Sequence, residues 1–284
     1  MNDPRHLSDN DFSIPIQDVK ISVKSFESPV LPPLDEETSL NETHFLLRVP
    51  QVANYLVKEG REIFIEPAEG AEQDLIRLYL NGSVLGALLI QRNILCFHAS
   101  AFEYHQQAVL ICGESESGKS SLALAMHLNG MKLINDDICP INHPDFNVLP
   151  LETPSKLWAD SLQELQQEKL KGPAIHSGEN KFFVDIKHKQ HENLPVRGII
   201  ILENDAVNDF EIEALQGMEK FTALRSHLYR GNYLAQMPKT ESLFHQRLSL
   251  LASRIPVFRF NRPYSANIET SQARLLSVLE KYYL

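Results

Sequence analysis

The sequence predicts an α/β protein with a mixed sheet and C-terminal helices, on three observations. A short apolar run, residues 108–112, feeds a glycine-bounded polar loop and then a segment of good helix formers, residues 121–128. Strand-like and helix-like segments are mixed through the second half. Residues 181–186, 196–202 and 211–215 read as strands, 218–229 and 240–253 as helices, and 257–260 as a strand. The chain closes on a helical pattern at 271–283, where Leu275, Leu276, Leu279 and Tyr282 form a packing or subunit-contact face.

Composition bounds what such a fold can do. With 284 residues, 43% hydrophobic and 23% charged, the chain has enough apolar material for a sizeable core. Its 27 Lys and Arg against 37 Asp and Glu give a net charge of −10. That balance argues against a nucleic-acid partner, which needs clustered basic charge. Cys96, Cys112 and Cys139 are too scattered for a disulfide framework or a CxxC metal site and read as small buried hydrophobes in a reducing compartment. The longest apolar stretch, 84–90, is far short of the roughly 20 residues a membrane span needs. A cytoplasmic protein with no membrane partner is the expectation.

In chain order, residues 1–43 carry Pro4, Pro15, Pro29, Pro32, Pro33 and the acidic run Asp35-Glu36-Glu37, so an extended arm with at most a short strand is expected. Residues 44–91 form an α+β lead-in: 45–49 and 62–65 as strands, 51–58 as a turn of helix, and 74–90 as a helix that Asn81-Gly82 interrupts. The remainder, 92–284, is expected to form the main domain. There 94–102 alternates, 103–107 is a polar turn and 108–112 a buried strand, which together read as a β-hairpin. A helix from Lys119 to about Asn129, stopped by Gly130, and a strand at 131–134 follow.

The sharpest motif is Gly113-Glu114-Ser115-Glu116-Ser117-Gly118-Lys119-Ser120, a complete G-x4-G-K-[ST] phosphate loop. Such a pattern arises by chance in a chain of this length with a probability on the order of 1%. Backbone N–H groups from Gly113 to Ser121, at the start of the helix, can converge on an anion. Lys119 then reaches the β- and γ-phosphates, and the Ser120 hydroxyl ligates Mg²⁺. Asp136 and Asp137 end the next strand, at the same sheet edge as the loop if that strand lies parallel beside the loop strand. Two adjacent acids can divide labour, one holding the metal and the other accepting a proton from an attacking hydroxyl.

His98-Ala-Ser100, the hairpin turn, the loop, Gly130 and Ile134-Asn-Asp136-Asp137 together resemble the bacterial HPr serine kinase/phosphorylase catalytic domain. They are still more similar to HPr-kinase-related proteins, including kinases of lasso-peptide clusters. The resemblance is specific over 92–142 and weaker over 143–284, and the N-terminal 90 residues do not look like the separate N-terminal domain of full-length HPr kinases. It implies an HPr-kinase/phosphoenolpyruvate-carboxykinase-like P-loop core and an ATP- and Mg-dependent kinase acting on a serine of a small protein or precursor peptide. It further implies His98 near the γ-phosphate, Lys119 on the phosphates, Ser120 and Asp136 on the metal, and Asp137 as the general base. The family forms hexamers, so a homo-oligomer is open here.

Two departures stand out. Glu116 occupies the place of an inner loop glycine, where a side chain costs little if φ is negative and where an acid repels phosphate unless it points outward. A Glu-x-Arg-Gly motif is reduced to Arg197-Gly198 after Pro195, so no second metal carboxylate is carried over. These departures motivate a second reading, a nucleotide-binding regulatory protein without phosphoryl transfer; a small-metabolite kinase is a third. Other residues carry weaker signals. His188, His191 and Asp185 read as a solvated loop, Trp158 as core packing, Arg225 and Tyr229-Arg230 as helix-end residues, and Arg254, Arg259 and Arg262 as a loose basic set in which a phosphate contact is the minority reading.

Overall fold

Strand-forming segments build three sheets along the described residues, and the chain falls into two units. The computed structural model describes residues 7–151, 153–175, 180–186 and 192–283. One unit comprises Met1–Leu95 and Arg230–Gln246, the other Cys96–Tyr229 and Arg247–Leu284.

The first unit holds a five-stranded sheet of β1 (Lys20–Val23), β2 (Thr38–Leu40), β3 (His44–Val49), β4 (Ala53–Lys58) and β5 (Glu62–Pro67), in the order β1-β5-β4-β3-β2. The expected arm at 1–43 therefore contributes both edge strands, β1 pairing parallel with β5 and β2 antiparallel with β3. The expected helical turn at 51–58 is instead strand β4. Tyr55, Leu56 and Val57 are all fully buried, and every residue of β4 pairs with β3 on one side and β5 on the other. Pairing and burial on both sides outweigh a weak helical preference. The next segment runs as α1 (Gln73–Tyr79), a π-helical turn at Leu80–Val84 and α2 (Leu85–Gln91). Asn81-Gly82 widens the helix without breaking it, and the Asn81 amide donates back to the Arg77 carbonyl at 3.2 Å.

The second unit begins with β6 (Leu95–Phe97), β7 (Ala99–Tyr104) and β8 (Gln107–Gly113), then α3 (Lys119–Leu128), β9 (Leu133–Asn135), β10 (Cys139–Ile141) and β11 (Asn147–Val148). A small sheet follows from β12 (Ser155–Trp158), helix α4 (Ala159–Glu164), β13 (Lys171–Ala174) and β14 (Lys181–Val184), in the order β12-β14-β13. The long β15 (Leu194–Asp205), β16 (Glu211–Ala214), α5 (Gly217–Ser226), α6 (Pro238–Arg254, whose residues up to Gln246 belong to the first unit), β17 (Val257–Pro263) and α7 (Ile268–Tyr283) complete the chain.

The main sheet runs β6-β10-β11-β15-β8-β7-β9, with β17 on β15 and β16 on β17. The expected hairpin is β7–β8, turned at His105 and Gln106, both with φ near +50 to +60° as a type I′ turn requires. The strand expected at 94–102 breaks at His98, whose backbone N–H donates to the His227 carbonyl at 2.9 Å. Strands β8, β15 and β17 are mutually parallel, and β7 is antiparallel to both β8 and β9. The strand bearing the acids is therefore not the neighbour of the loop strand, because β7 lies between them. Two antiparallel steps restore direction, so β9 still ends at the same edge as β8, and β7 starts there.

Helix α3 ends in a Schellman arrangement, Gly130 donating to His127 O and Met131 to Met126 O. Leu122 and Met126 of α3 join Leu275, Val278 and Leu279 of α7 in the same buried cluster as Val109, Ile111, Ile200 and Phe260 of the sheet. The face of α7 is thus a packing face.

Candidate phosphate-binding site

Topology places five candidate pieces at one sheet edge: His98 before β7, the loop after β8, Asp136-Asp137 after β9, the end of β15 and Arg262 near the end of β17. They meet around a cavity of about 280 Å³ whose wall includes His98, Ser115, Glu116, Gly118, Lys119, Ser120, Ser121 and Asp137.

The loop fits an anion on two observations. The Ser117 hydroxyl is buried without a hydrogen-bond partner, and α3 directs its N-terminal N–H groups toward the loop. Gly113 is held where a Cβ would approach the Leu202 carbonyl to 2.5 Å and Ser117 Oγ to 2.7 Å, so only glycine lets the loop leave β8 against β15. The Lys119 ammonium donates to the carbonyls of Gly113 at 2.9 Å and Glu114 at 2.7 Å, and burial pulls its pKa below the usual value. Glu116 has φ of +64°, so the condition for a cheap side chain fails: a non-glycine residue there costs roughly 1–2 kcal/mol. The side chain is exposed and has no ion-pair partner among the described residues.

The two aspartates have different surroundings. Asp136 is buried, accepting from Ser100 Oγ at 2.6 Å and from the Lys156 backbone N–H at 3.1 Å, and it is not on the cavity wall. Asp137, with φ of +75°, is on the wall, 3.2 Å from His98 Nδ1 and 2.9 Å from Lys156 Nζ. Burial acts to raise its carboxyl, but the His98 hydrogen bond and the Lys156 ammonium outweigh that and hold it far below the usual carboxylate range. A carboxylate so held is a weak proton acceptor until one of its partners moves.

Both Asp136 oxygens are committed to protein donors, so the acid available beside Ser120 is Asp137, not Asp136. Among the described residues no three His, Cys, Asp or Glu side chains converge on a metal site. Mg²⁺ takes one or two protein oxygens and completes its shell with phosphates and water, so Ser120 with Asp137 is a fitting donor set.

Sequence reasoning missed Lys156 and Lys181. Lys156 stands two residues from Trp158 on β12, where Ser155 and Leu157 are buried and the alternate positions half-exposed; that alternation was the available signal. Trp158 itself is not a core residue. It lines the cavity, with Lys181 Nζ 5.4 Å from its ring centroid.

Of the basic set only Arg262 reaches the cavity; Arg259 is tied to surface carboxylates and Arg254 lies over the Phe146 ring. The Tyr229 ring is 6.1 Å from that of His98, whereas Arg230, in the first unit, donates to Ser83 Oγ at 2.7 Å. Arg225 is in the last turn of α5, off the cavity wall. Arg197-Gly198 lies toward the start of β15, near the Ala108 end of β8 and so at the opposite end of the sheet from the loop. His188 and His191 lie outside the described residues. All three cysteines are free and buried, and among the described residues no helix is long and apolar enough to cross a membrane.

No family model and no curated protein matches the chain. Among solved structures, the HPr(Ser) kinase/phosphatase from Coxiella burnetii is similar over 66% of this chain and 93% of that one, at 14% identity and a TM-score of 0.30. An overlap of that size defines neither fold nor activity. The class follows from the chain itself: a mixed α/β protein with several mixed sheets, C-terminal helices and a glycine-bounded loop at the carboxyl edge of its main sheet.

Proposed function

We propose that the chain is an ATP- and Mg-dependent phosphotransferase, a kinase that moves the γ-phosphoryl group to a serine hydroxyl of a small protein or precursor peptide. The observation that carries this reading is the joint wall of one cavity: the phosphate loop on one part and the His98–Asp137–Lys156 cluster on another. The motif and its resemblance to HPr-kinase-related proteins support the same reading.

In this reading the loop N–H groups and Lys119 bind the β- and γ-phosphates and neutralise their charge. Magnesium, held by Ser120 with Asp137, supplies further charge neutralisation at the phosphate oxygens. The serine oxygen forms its bond to the γ-phosphorus as the bond to the β-bridging oxygen breaks and ADP leaves. The hydroxyl proton passes to Asp137 as the bound phosphates draw Lys156 away from its carboxylate, with His98 keeping the carboxylate oriented. The acceptor is a peptide that is not strongly acidic overall, given the net charge of −10. A cytoplasmic setting, with neither nucleic acid nor membrane as partner, goes with this reading.

The test is transfer from γ-labelled ATP to serine peptides. Lys119→Ala and Asp137→Asn are each expected to lower it by on the order of 10²-fold or more, and transfer undiminished by both sinks the assignment. A second reading, a nucleotide-binding regulatory protein, draws on Glu116, an acid held at positive φ in the loop. It predicts nucleotide binding by calorimetry, no transfer to any acceptor, and indifference to Asp137→Asn.

A further inference from the structure

Two arginines of β17 have opposite surroundings. Arg259 is surrounded by carboxylates, with Glu203 at 3.4 Å, Glu213 at 2.9 Å and Glu219 at 2.8 Å. Arg262, three residues on and so on the other face of the strand, has no carboxylate within ion-pair distance among the described residues. Its Nε donates to the Asn204 side-chain oxygen at 2.5 Å, which fixes the guanidinium while leaving both terminal amino groups for another partner.

Register explains why it stands at the loop. On β15, Leu202 pairs with Gly113 and Asn204 pairs with Arg262, so Arg262 is carried two residues, about 7 Å, past the end of β8. There the guanidinium lies against Gly118. A Cβ at that position, where φ is +95°, would come within 2.8 Å of Nη2 and 3.3 Å of Cζ. Glycine at 118 is thus needed twice, for its backbone conformation and for the approach of Arg262. The guanidinium is also withdrawn from water: burial pulls its pKa below the usual value, with Glu164 offsetting part of the effect. A cation taken out of water without a carboxylate is suited to an anion that arrives with a ligand.

We infer that Arg262 binds the phosphate chain held in the loop, its terminal N–H groups forking onto phosphate oxygens from the Gly118 side as a second fixed cation beside Lys119. The ligand class is a nucleoside di- or triphosphate. The inference rests on the nucleotide-binding half of the reading above and not on the transfer reaction.

Calorimetry on the full chain tests it, with Mg-ADP and Mg-pyrophosphate as ligands and wild type, Arg262→Ala, Arg262→Lys and Arg259→Ala compared. Arg262→Ala is expected to weaken both ligands by roughly 10- to 100-fold, the loss of one charged hydrogen-bonding group. Arg262→Lys should fall between, keeping the charge but not the fork, and Arg259→Ala should bind as wild type does. Thermal melts identify the folded variants, and Arg262→Lys carries the comparison if the alanine variant does not fold. Binding of Mg-ADP unaltered by Arg262→Ala overturns the inference, as does a loss confined to ADP that spares pyrophosphate, which would move the guanidinium to the nucleoside. A wild type that binds neither ligand overturns it together with the kinase reading. A wild type that binds nucleotide but transfers nothing overturns the kinase reading alone.

Discussion

On one wall of the cavity His98, Asp137 and Lys156 hold one another at 2.9–3.2 Å, so that each charge has its partner within the protein. On the other wall Lys181 stands over the Trp158 ring and Arg262 against Gly118, and neither has a carboxylate partner among the described residues. The two walls share a loop and differ in how charge is balanced. A paired wall holds its groups oriented before a ligand arrives, which suits groups that must face a reacting atom. A wall of uncompensated cations gains most when an anionic ligand arrives, which suits binding.

The strongest way to break this contrast is Asp137→Asn. Phosphoryl transfer to a serine peptide is expected to fall by on the order of 10²–10⁴ while affinity for metal-free nucleotide, measured by calorimetry in chelator, stays as in wild type. An affinity that collapses with it would make the paired wall a binding wall. Lys119, common to both walls, should lower transfer by on the order of 10²–10³ and affinity as well when replaced by alanine, measured by the same two assays.

Asp136 sharpens the contrast from behind the wall. Ser100→Ala removes one of the two donors to a buried carboxylate, and urea denaturation is expected to show a loss of about 1–3 kcal/mol. Glu116→Gly relieves a side chain at positive φ and removes an acid from the loop; melting should rise by about 2–4 °C, with tighter nucleotide binding.

The smallest effect is on the acid side of the stability profile. Because the Asp137 carboxyl is depressed in the folded protein, its contribution is full above the ordinary carboxylate value of about 3.9 and is lost as pH falls through the lower folded value. Wild type should therefore lose stability more steeply than Asp137→Asn below about pH 4 in chemical denaturation, and parallel curves would mean that the pair contributes nothing.

Much of this was legible in the residues. The loop announces itself because its glycines, lysine and hydroxyl stand at a fixed spacing that is local in the chain. The β7–β8 hairpin, the helix from Lys119 and the three last helices follow from period and turn chemistry that neighbouring residues settle among themselves. Strand β4 was misread as a turn of helix because its identity comes from partners on both sides, and a six-residue segment of mixed polarity has no period of its own strong enough to declare it. Trp158 was misread as core because burial is decided by what packs over a residue, not by its type.

By itself, then, the sequence determined the glycine-bounded loop, the acid pair, the histidine before the hairpin and the mixed α/β class, since each is written in contiguous residues. The tertiary structure alone decided that β7 separates the loop strand from the acid strand, that Asp137 and not Asp136 faces the cavity, and that Lys156 and Arg262 join it. Those outcomes depend on strand order and register between segments far apart in the chain. Contiguous residues do not encode such relations, because the free energy that selects them comes from packing and pairing formed only when the sheet is assembled.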